Sequence, residues 1–202
     1  MSAVLRESET LKNLMRAFAG ESQAWSRYTY AAAAARAKNL HVVEAVFTFT
    51  ANQEREHGEI FYRYLGDAAG TRVPVQADYP VDVSNNLSEL LSRARDGEYR
   101  EADPLYPAFA RTAREEGFPE IASSFQQIAR IERSHGNRFG HLLELLEGGT
   151  LFSGGQQGWL CLNCGHIHQG DSAPEACPVC GHAQGFFLRL EQAPYGGPGV
   201  LV

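Results

Sequence analysis

The sequence predicts an all-α protein, a four-helix bundle with one long crossover connection, followed by a small separate metal domain. Three observations carry that prediction. Four long segments have apolar residues stepping by three and four, the period of a helix with one buried face. Each of these stripes is interrupted midway by Glu, twice in the pattern Glu-x-x-His. All four cysteines fall between positions 161 and 180 as two C-x-x-C pairs, beyond the last helical segment.

The first helix is expected over 11–38, with Thr10 placed to cap it and Leu11, Leu14, Phe18, Trp25 and Tyr28 as its core face. Between Phe18 and Trp25 that face passes through Glu21, a carboxylate where core belongs. The second, about 41–66, carries Val43, Val46, Phe47, Thr50, Phe61 and Tyr64, and the same face contains Glu54 and His57. Gly66, Gly70, Pro74 and Pro80 then break helical continuity over a stretch long enough to cross from one end of a bundle to the other. The third helix is expected over 84–116 through Leu87, Leu91, Ala94, Leu105, Phe109 and Thr112, with Glu98 and Glu101 mid-stripe and bends at Pro104 and Pro107. The fourth, 119–147, starts at Pro119, follows Phe125, Ile128, Phe139, Leu142 and Leu146 past Glu132 and His135, and stops at Gly148 and Gly149.

The spacings Glu21 to Glu54, 33 residues, and Glu98 to Glu132, 34 residues, each ending in Glu-x-x-His, suggest two helix pairs related by a pseudo-twofold. After residue 150 the chain turns to Gly, Gln, Cys and Pro without helical period. The expected organisation is a bundle over 1–150, a linker over 151–157, a cysteine domain over 158–191 and a tail over 192–202.

A formal net charge of −6 and a pI near 5.6 argue against a nucleic-acid partner, which needs a basic face. No apolar run reaches membrane length, and the opening MSAVLRESET resembles neither a signal nor a transit peptide, so no membrane association and a cytoplasmic location are expected.

Five carboxylates and two imidazoles on apolar faces need compensation, since an unpartnered buried carboxylate costs at least several kcal/mol. No Lys or Arg shares those stripes. Any one stripe, misphased, would put its Glu at a solvated boundary; four helices with the same anomaly favour a site. A Glu from each of two helices and Glu-x-x-His from each of two others is the donor set of ferritin-like dimetal carboxylate bundles. Oxygen-rich ligands with one imidazole per metal suit iron or manganese, and two divalent ions nearly balance five carboxylates. Tyr28 and Tyr106 are candidate hydrogen-bond donors to the ligating carboxylates, while Trp25 is assigned to the core. His41, His141, His166, His168 and His182 fit no ligand pattern.

Cys161-Leu-Asn-Cys164-Gly165 and Cys177-Pro-Val-Cys180-Gly181 form paired knuckles able to place four thiolates around one tetrahedral ion. Four sulfurs alone do not separate iron from zinc; the acidic chain and the adjoining dimetal set favour iron.

AFAGESQAWSRY, QEREHGE, GEYREADPLYPAFARTAREEGF and IERSHGNRF, followed by the two knuckles, make the chain resemble the rubrerythrin family over about residues 8–190. The resemblance implies a ferritin-like bundle joined to a rubredoxin-like domain, with two non-haem irons and one thiolate-bound iron that zinc can replace. It further implies that Glu54 and Glu132 bridge the irons, with Glu21, Glu101 and His57 around one and Glu98 and His135 around the other. Glu101 and His57 would exchange with redox state. The implied activity is two-electron reduction of hydrogen peroxide to water, in oxidative-stress defence, with Glu101, Tyr28 and Tyr106 at the reacting centre. Electrons would come through the four-cysteine iron from an external NAD(P)H-linked reductase or a rubredoxin, and subunits would pair head to tail. Tyr99 and Arg100, where histidines can occur, and the glycine-rich tail depart from the family pattern and bear on the choice of donor. Iron storage in the ferritin manner, or an electron-transfer or metal-sensing module with a purely structural dimetal site, are the competing readings.

Overall fold

The computed structural model describes residues 4–155 and 158–193. Gln156 and Gln157 of the expected linker, and the expected tail beyond residue 193, lie outside the described residues.

Helix α1 spans Glu9–Ala37 and is capped by Ser8, whose hydroxyl accepts from Leu11 N–H at 3.1 Å. The expectation of Thr10 as cap is corrected. Thr10 lies in the first turn, fully buried, and its hydroxyl donates to Glu116. The Glu116 carboxylate also accepts the N–H groups of Glu9 and Thr10 at 2.9 and 2.8 Å, so a residue distant in sequence satisfies donors that every helix start leaves free. Trp25 is corrected too: at 43% exposure it sits on the outer face of α1, because Ala24 and Tyr28 fill the inner arc beyond Glu21.

Helix α2 covers His41–Tyr64 and tightens into a 3-10 turn over Leu65–Ala68, so the α-helix stops short of residue 66. The single helix expected over 84–116 is two: α3, Leu87–Arg100, and α4, Tyr106–Glu115, joined by a π turn over Glu101–Leu105. Asn86 sets the start of α3 by accepting from Ser88 N–H at 2.9 Å. Pro104 has no N–H to continue the α ladder, and the wider turn closes with the Tyr106 N–H on the Glu101 carbonyl. The additional residue keeps Glu98 before the turn and Tyr106 after it on the same buried face. Helix α5, Pro119–Glu147, has its proline in the first turn and ends in Gly148 and Gly149, the latter at φ +63°.

Helix α1 packs on α2, and α3 and α4 pack on α5; residues 69–86 cross between the pairs. Two apolar clusters fill the bundle. The lower holds Leu11, Leu14, Phe61, Ala110, Ile121 and Phe125; the upper holds Ala31, Val43, Phe47, Leu91, Phe139 and Leu142. On α1, α2 and α5 the Glu and His positions fall between the residues given to the two clusters, so the polar set forms a middle layer.

The C-terminal part is a three-stranded antiparallel sheet, ordered β2-β1-β3, of β1 (Trp159–Cys161), β2 (Ile167–His168) and β3 (Phe187–Arg189). Trp159, Cys161, Ala173, Cys177 and Phe187 make its own small core. Leu151, Leu188, Leu190 and Ala193 instead join the upper cluster of the bundle. His41, at the start of α2, stacks on Phe186 with ring centroids 3.8 Å apart. Gly185 meets the turn between α1 and α2 so closely that an added Cβ would lie 1.7 Å from the Asn39 carbonyl oxygen. Among the described residues no helix is long and apolar enough to cross a membrane.

Candidate metal centres

Six of the seven bundle residues singled out in the sequence are buried together. Glu21, Glu54, Glu98, Glu132 and His135 are fully inaccessible, and His57 is 5% exposed. Their donor atoms form two quartets, Glu21/Glu54/His57/Glu132 and Glu54/Glu98/Glu132/His135, each with its atoms within 4.8 Å of one another. The two quartets share Glu54 and Glu132. That sharing follows from the sequence: α2 and α5 each present Glu-x-x-His, and a three-residue step puts both side chains on one face. Glu101 belongs to neither quartet and is partly exposed; it lies beside the cluster, near enough for its charge to act on Glu21 and Tyr106.

The contacts inside the cluster are those of groups converging on common points. His135 Nδ1 lies 2.8 Å from Glu54 and 2.9 Å from Glu132, and His57 Nδ1 lies 2.9 Å from Glu132. Yet both oxygens of Glu54 and Glu132, one oxygen each of Glu21 and Glu98, and the ligand-facing imidazole nitrogens have no hydrogen-bond partner. Such orphaned buried acceptors are rare in proteins, and two cations seated in the quartets would satisfy them all. Desolvation, followed by repulsion from neighbouring carboxylates, raises Glu21 and Glu132 well above the ordinary carboxylate range. His135 is pushed up to about 11: its burial works the other way, and Glu132, Glu54 and Glu98 outweigh it. The donor set is therefore built for bound positive charge.

Both tyrosines reach carboxylates of the cluster, and by a crossed arrangement. Tyr28 of α1 donates to Glu98 of α3, not to Glu21 on its own helix, while Tyr106 of α4 donates to Glu21. Each hydroxyl occupies one carboxylate oxygen and leaves the other free, an outer-shell device that fixes ligand orientation. Desolvation raises both phenols well above their ordinary range, so they remain donors. A residue the sequence did not mark, Arg138, holds Thr50 at 2.9 Å and Gln53 at 3.2 Å beside the site. Its position on the flank of the α5 stripe was the available signal.

In the C-terminal part, Cys161 and Cys180 sulfurs are 3.8 Å apart and those of Cys164 and Cys177 3.7 Å apart. A tetrahedron of 2.3 Å metal–sulfur bonds has edges of roughly 3.8 Å, whereas a disulfide needs about 2.05 Å. The knuckles are copies of one another. Gly165 and Gly181 take φ +77° and +73°, and each donates its N–H at 2.9 Å to the carbonyl of the first cysteine of its pair. His41, His141, His166, His168 and His182 belong to none of the ligand clusters among the described residues.

Comparison with known proteins agrees with this architecture. The sequence profile of rubrerythrin matches residues 12–143, and that of the rubrerythrin rubredoxin-like domain matches 159–187. Rubrerythrin of Porphyromonas gingivalis is 42% identical over 95% of this chain and 94% of its own length. Rubrerythrin of Clostridium perfringens is 42% identical over 91% of this chain and 95% of its own. The solved structure of nigerythrin in its fully reduced, all-ferrous state superposes with a TM-score of 0.61 at 30% identity, covering 89% of this chain and 85% of that one. A ferritin-like bundle carrying a diiron-type carboxylate cluster, joined to a rubredoxin-like four-cysteine site, places the chain in the rubrerythrin family.

Proposed function

We propose that the protein is a rubrerythrin-type peroxidase, reducing hydrogen peroxide with two electrons and two protons to two waters at a diiron site in the bundle. The observation that carries the reading is the pair of quartets sharing Glu54 and Glu132, two adjacent oxygen-rich sites with one imidazole each. Zinc sites of structural type prefer closed N/S sets, and iron suits this one. In this reading Glu54 and Glu132, common to both quartets, would serve both metals, with Glu21 and His57 holding one and Glu98 and His135 the other. Bound as a ferrous pair, the irons supply one electron each and the Lewis acidity that weakens a peroxide O–O bond.

The chain's own residues do the rest. The apolar clusters on either side of the layer exclude water. Tyr28 and Tyr106 hold Glu98 and Glu21 in place. Glu101, partly exposed beside the cluster, carries protons to the departing oxygen; desolvation, then Glu98 and Glu54, raises its carboxyl well above the ordinary carboxylate range. Cys161, Cys164, Cys177 and Cys180 would hold a single iron, which would supply one-electron transfer from an external reductase or rubredoxin. In this reading the protein works in the cytoplasm as a head-to-tail homo-oligomer, and Trp25 and Tyr62, 43% and 59% exposed around the notch between α1 and α2 that reaches Glu54, offer an apolar surface for a partner subunit.

Anaerobic stopped-flow mixing of the reduced, iron-loaded protein tests the assignment. Fast oxidation by hydrogen peroxide and much slower oxidation by dioxygen is expected. The reverse order, or growth of an iron mineral, would replace the peroxidase with a ferroxidase.

A further inference from the structure

Beside Glu101 the crossover spans a cavity of about 460 Å³. Ala17 and Gly20 of α1 form one wall, Leu105 and Phe109 another, and Tyr79 and Pro80 of the crossover cover it; Glu101 and Tyr106 lie on the side of the metal cluster. This size decides what the cavity is for. One water takes about 30 Å³ of liquid. Hydrogen peroxide is only slightly larger, so the space exceeds its needs several-fold and falls in the range of small organic ligands.

Charge narrows the ligand class. Four arginines line the rim, but each is engaged: Arg27 with Asp82 at 2.5 Å, Arg100 with Asp78 at 2.9 Å, Arg16 with Glu9 at 2.6 Å and Arg93 with Glu89 at 3.3 Å. No arginine is left without a carboxylate to capture an anion. Two of those pairs, with Arg16 Nε donating to the Gln76 carbonyl and the Tyr79 hydroxyl donating to the Arg16 carbonyl, both near 3 Å, fasten the crossover over the cavity. Gly20 keeps the cavity open beside Glu101. A Cβ there would lie 3.7 Å from a Glu101 oxygen and 3.8 Å from the Tyr79 ring, so any longer side chain would grow between them.

We propose that this cavity admits neutral organic hydroperoxides to the diiron site, and that Gly20 and Tyr79 set the size limit. The inference rests on the peroxidase reading. In the reaction the O–O bond of ROOH breaks, ROH and water form, and the two electrons come from the same one-electron donor that serves hydrogen peroxide, with two protons from solvent through Glu101.

The test pairs binding with turnover in the full-length protein. Calorimetric titration with 2-phenyl-2-propanol, the alcohol left by cumene hydroperoxide, is made on iron-loaded and metal-free protein. Turnover of cumene hydroperoxide and of hydrogen peroxide is then compared by kcat/KM. In Gly20→Leu, alcohol affinity and cumene hydroperoxide kcat/KM are expected to fall roughly tenfold or more, with hydrogen peroxide changed by less than about threefold. In Tyr79→Ala, the ratio of cumene hydroperoxide to hydrogen peroxide turnover is expected to rise roughly fivefold or more. Hydrogen peroxide turnover without alcohol binding, or with a ratio that neither variant moves, overturns the inference and leaves the peroxidase standing. Alcohol binding that Gly20→Leu abolishes, without peroxide turnover, supports the cavity as an organic-ligand site and removes the peroxidase reading instead.

Discussion

Glu116 shows how much one side chain outside the metal layer can do. Its partial burial works against ionisation, but the Thr10 hydroxyl and the N–H groups of Glu9 and Thr10 outweigh it and hold the carboxyl below the ordinary range. A depressed folded-state value means the stabilisation is complete above the unfolded-state value, near pH 4.3, and is lost as the pH falls through the folded one. Glu116→Ala is expected to cost about 1–2 kcal/mol at pH 7 in urea unfolding, with the difference from wild type shrinking in acid. Tyr106→Phe addresses the site. It leaves the packing of the ring against Phe61 and Phe125 but removes the donor to Glu21, so chelator competition should show roughly 10- to 100-fold weaker metal binding at the carboxylate centre with the fold retained. The inner glutamates were legible in the sequence because a carboxylate interrupting an apolar stripe stands out. Glu116 was not, because the donors it satisfies lie 106 and 107 residues away.

Among the elements, α5 was readable at both ends, proline opening it and the glycine pair closing it. The π turn between α3 and α4 was not. One inserted residue changes the phase of the stripe without breaking it, and the prolines alone suggested a bend. That residue matters to the site, because it sets the rotation of everything beyond it. Deleting Asp103, exposed in the turn, should rotate α4 by about 100° relative to α3 and carry Tyr106 away from Glu21. Metal analysis should then find the carboxylate centre depleted and the four-cysteine centre full. Equal occupancy in the deletion and wild type would separate the turn from the site. The crossover stayed illegible for a related reason: Tyr79 and its fastenings have no periodicity, and their meaning depends on which helices they lie across.

For the whole molecule, composition shift and cysteine spacing separated the chain into a bundle and a metal domain, but the sequence carried no sign of how they join. Leu188, Leu190 and Ala193 complete the bundle's upper apolar cluster, and Gly185 fits against Asn39 with no room for a methyl. Gly185→Ala forces that backbone contact apart and is expected to cost about 1–3 kcal/mol, the range of overpacking. Wild type should melt in one calorimetric transition and the variant in two; a single unshifted transition in the variant would show that the docking is not coupled to the bundle. The shared cluster has a further consequence for how a chain fares in the cell. A chain that has not loaded its four-cysteine site lacks the ion that orders its small sheet, and with it the cover over the apolar end of the bundle. Such a chain would be open to proteases at that end while its carboxylate layer is still intact, so limited proteolysis should cut the copies that lack the four-cysteine ion first.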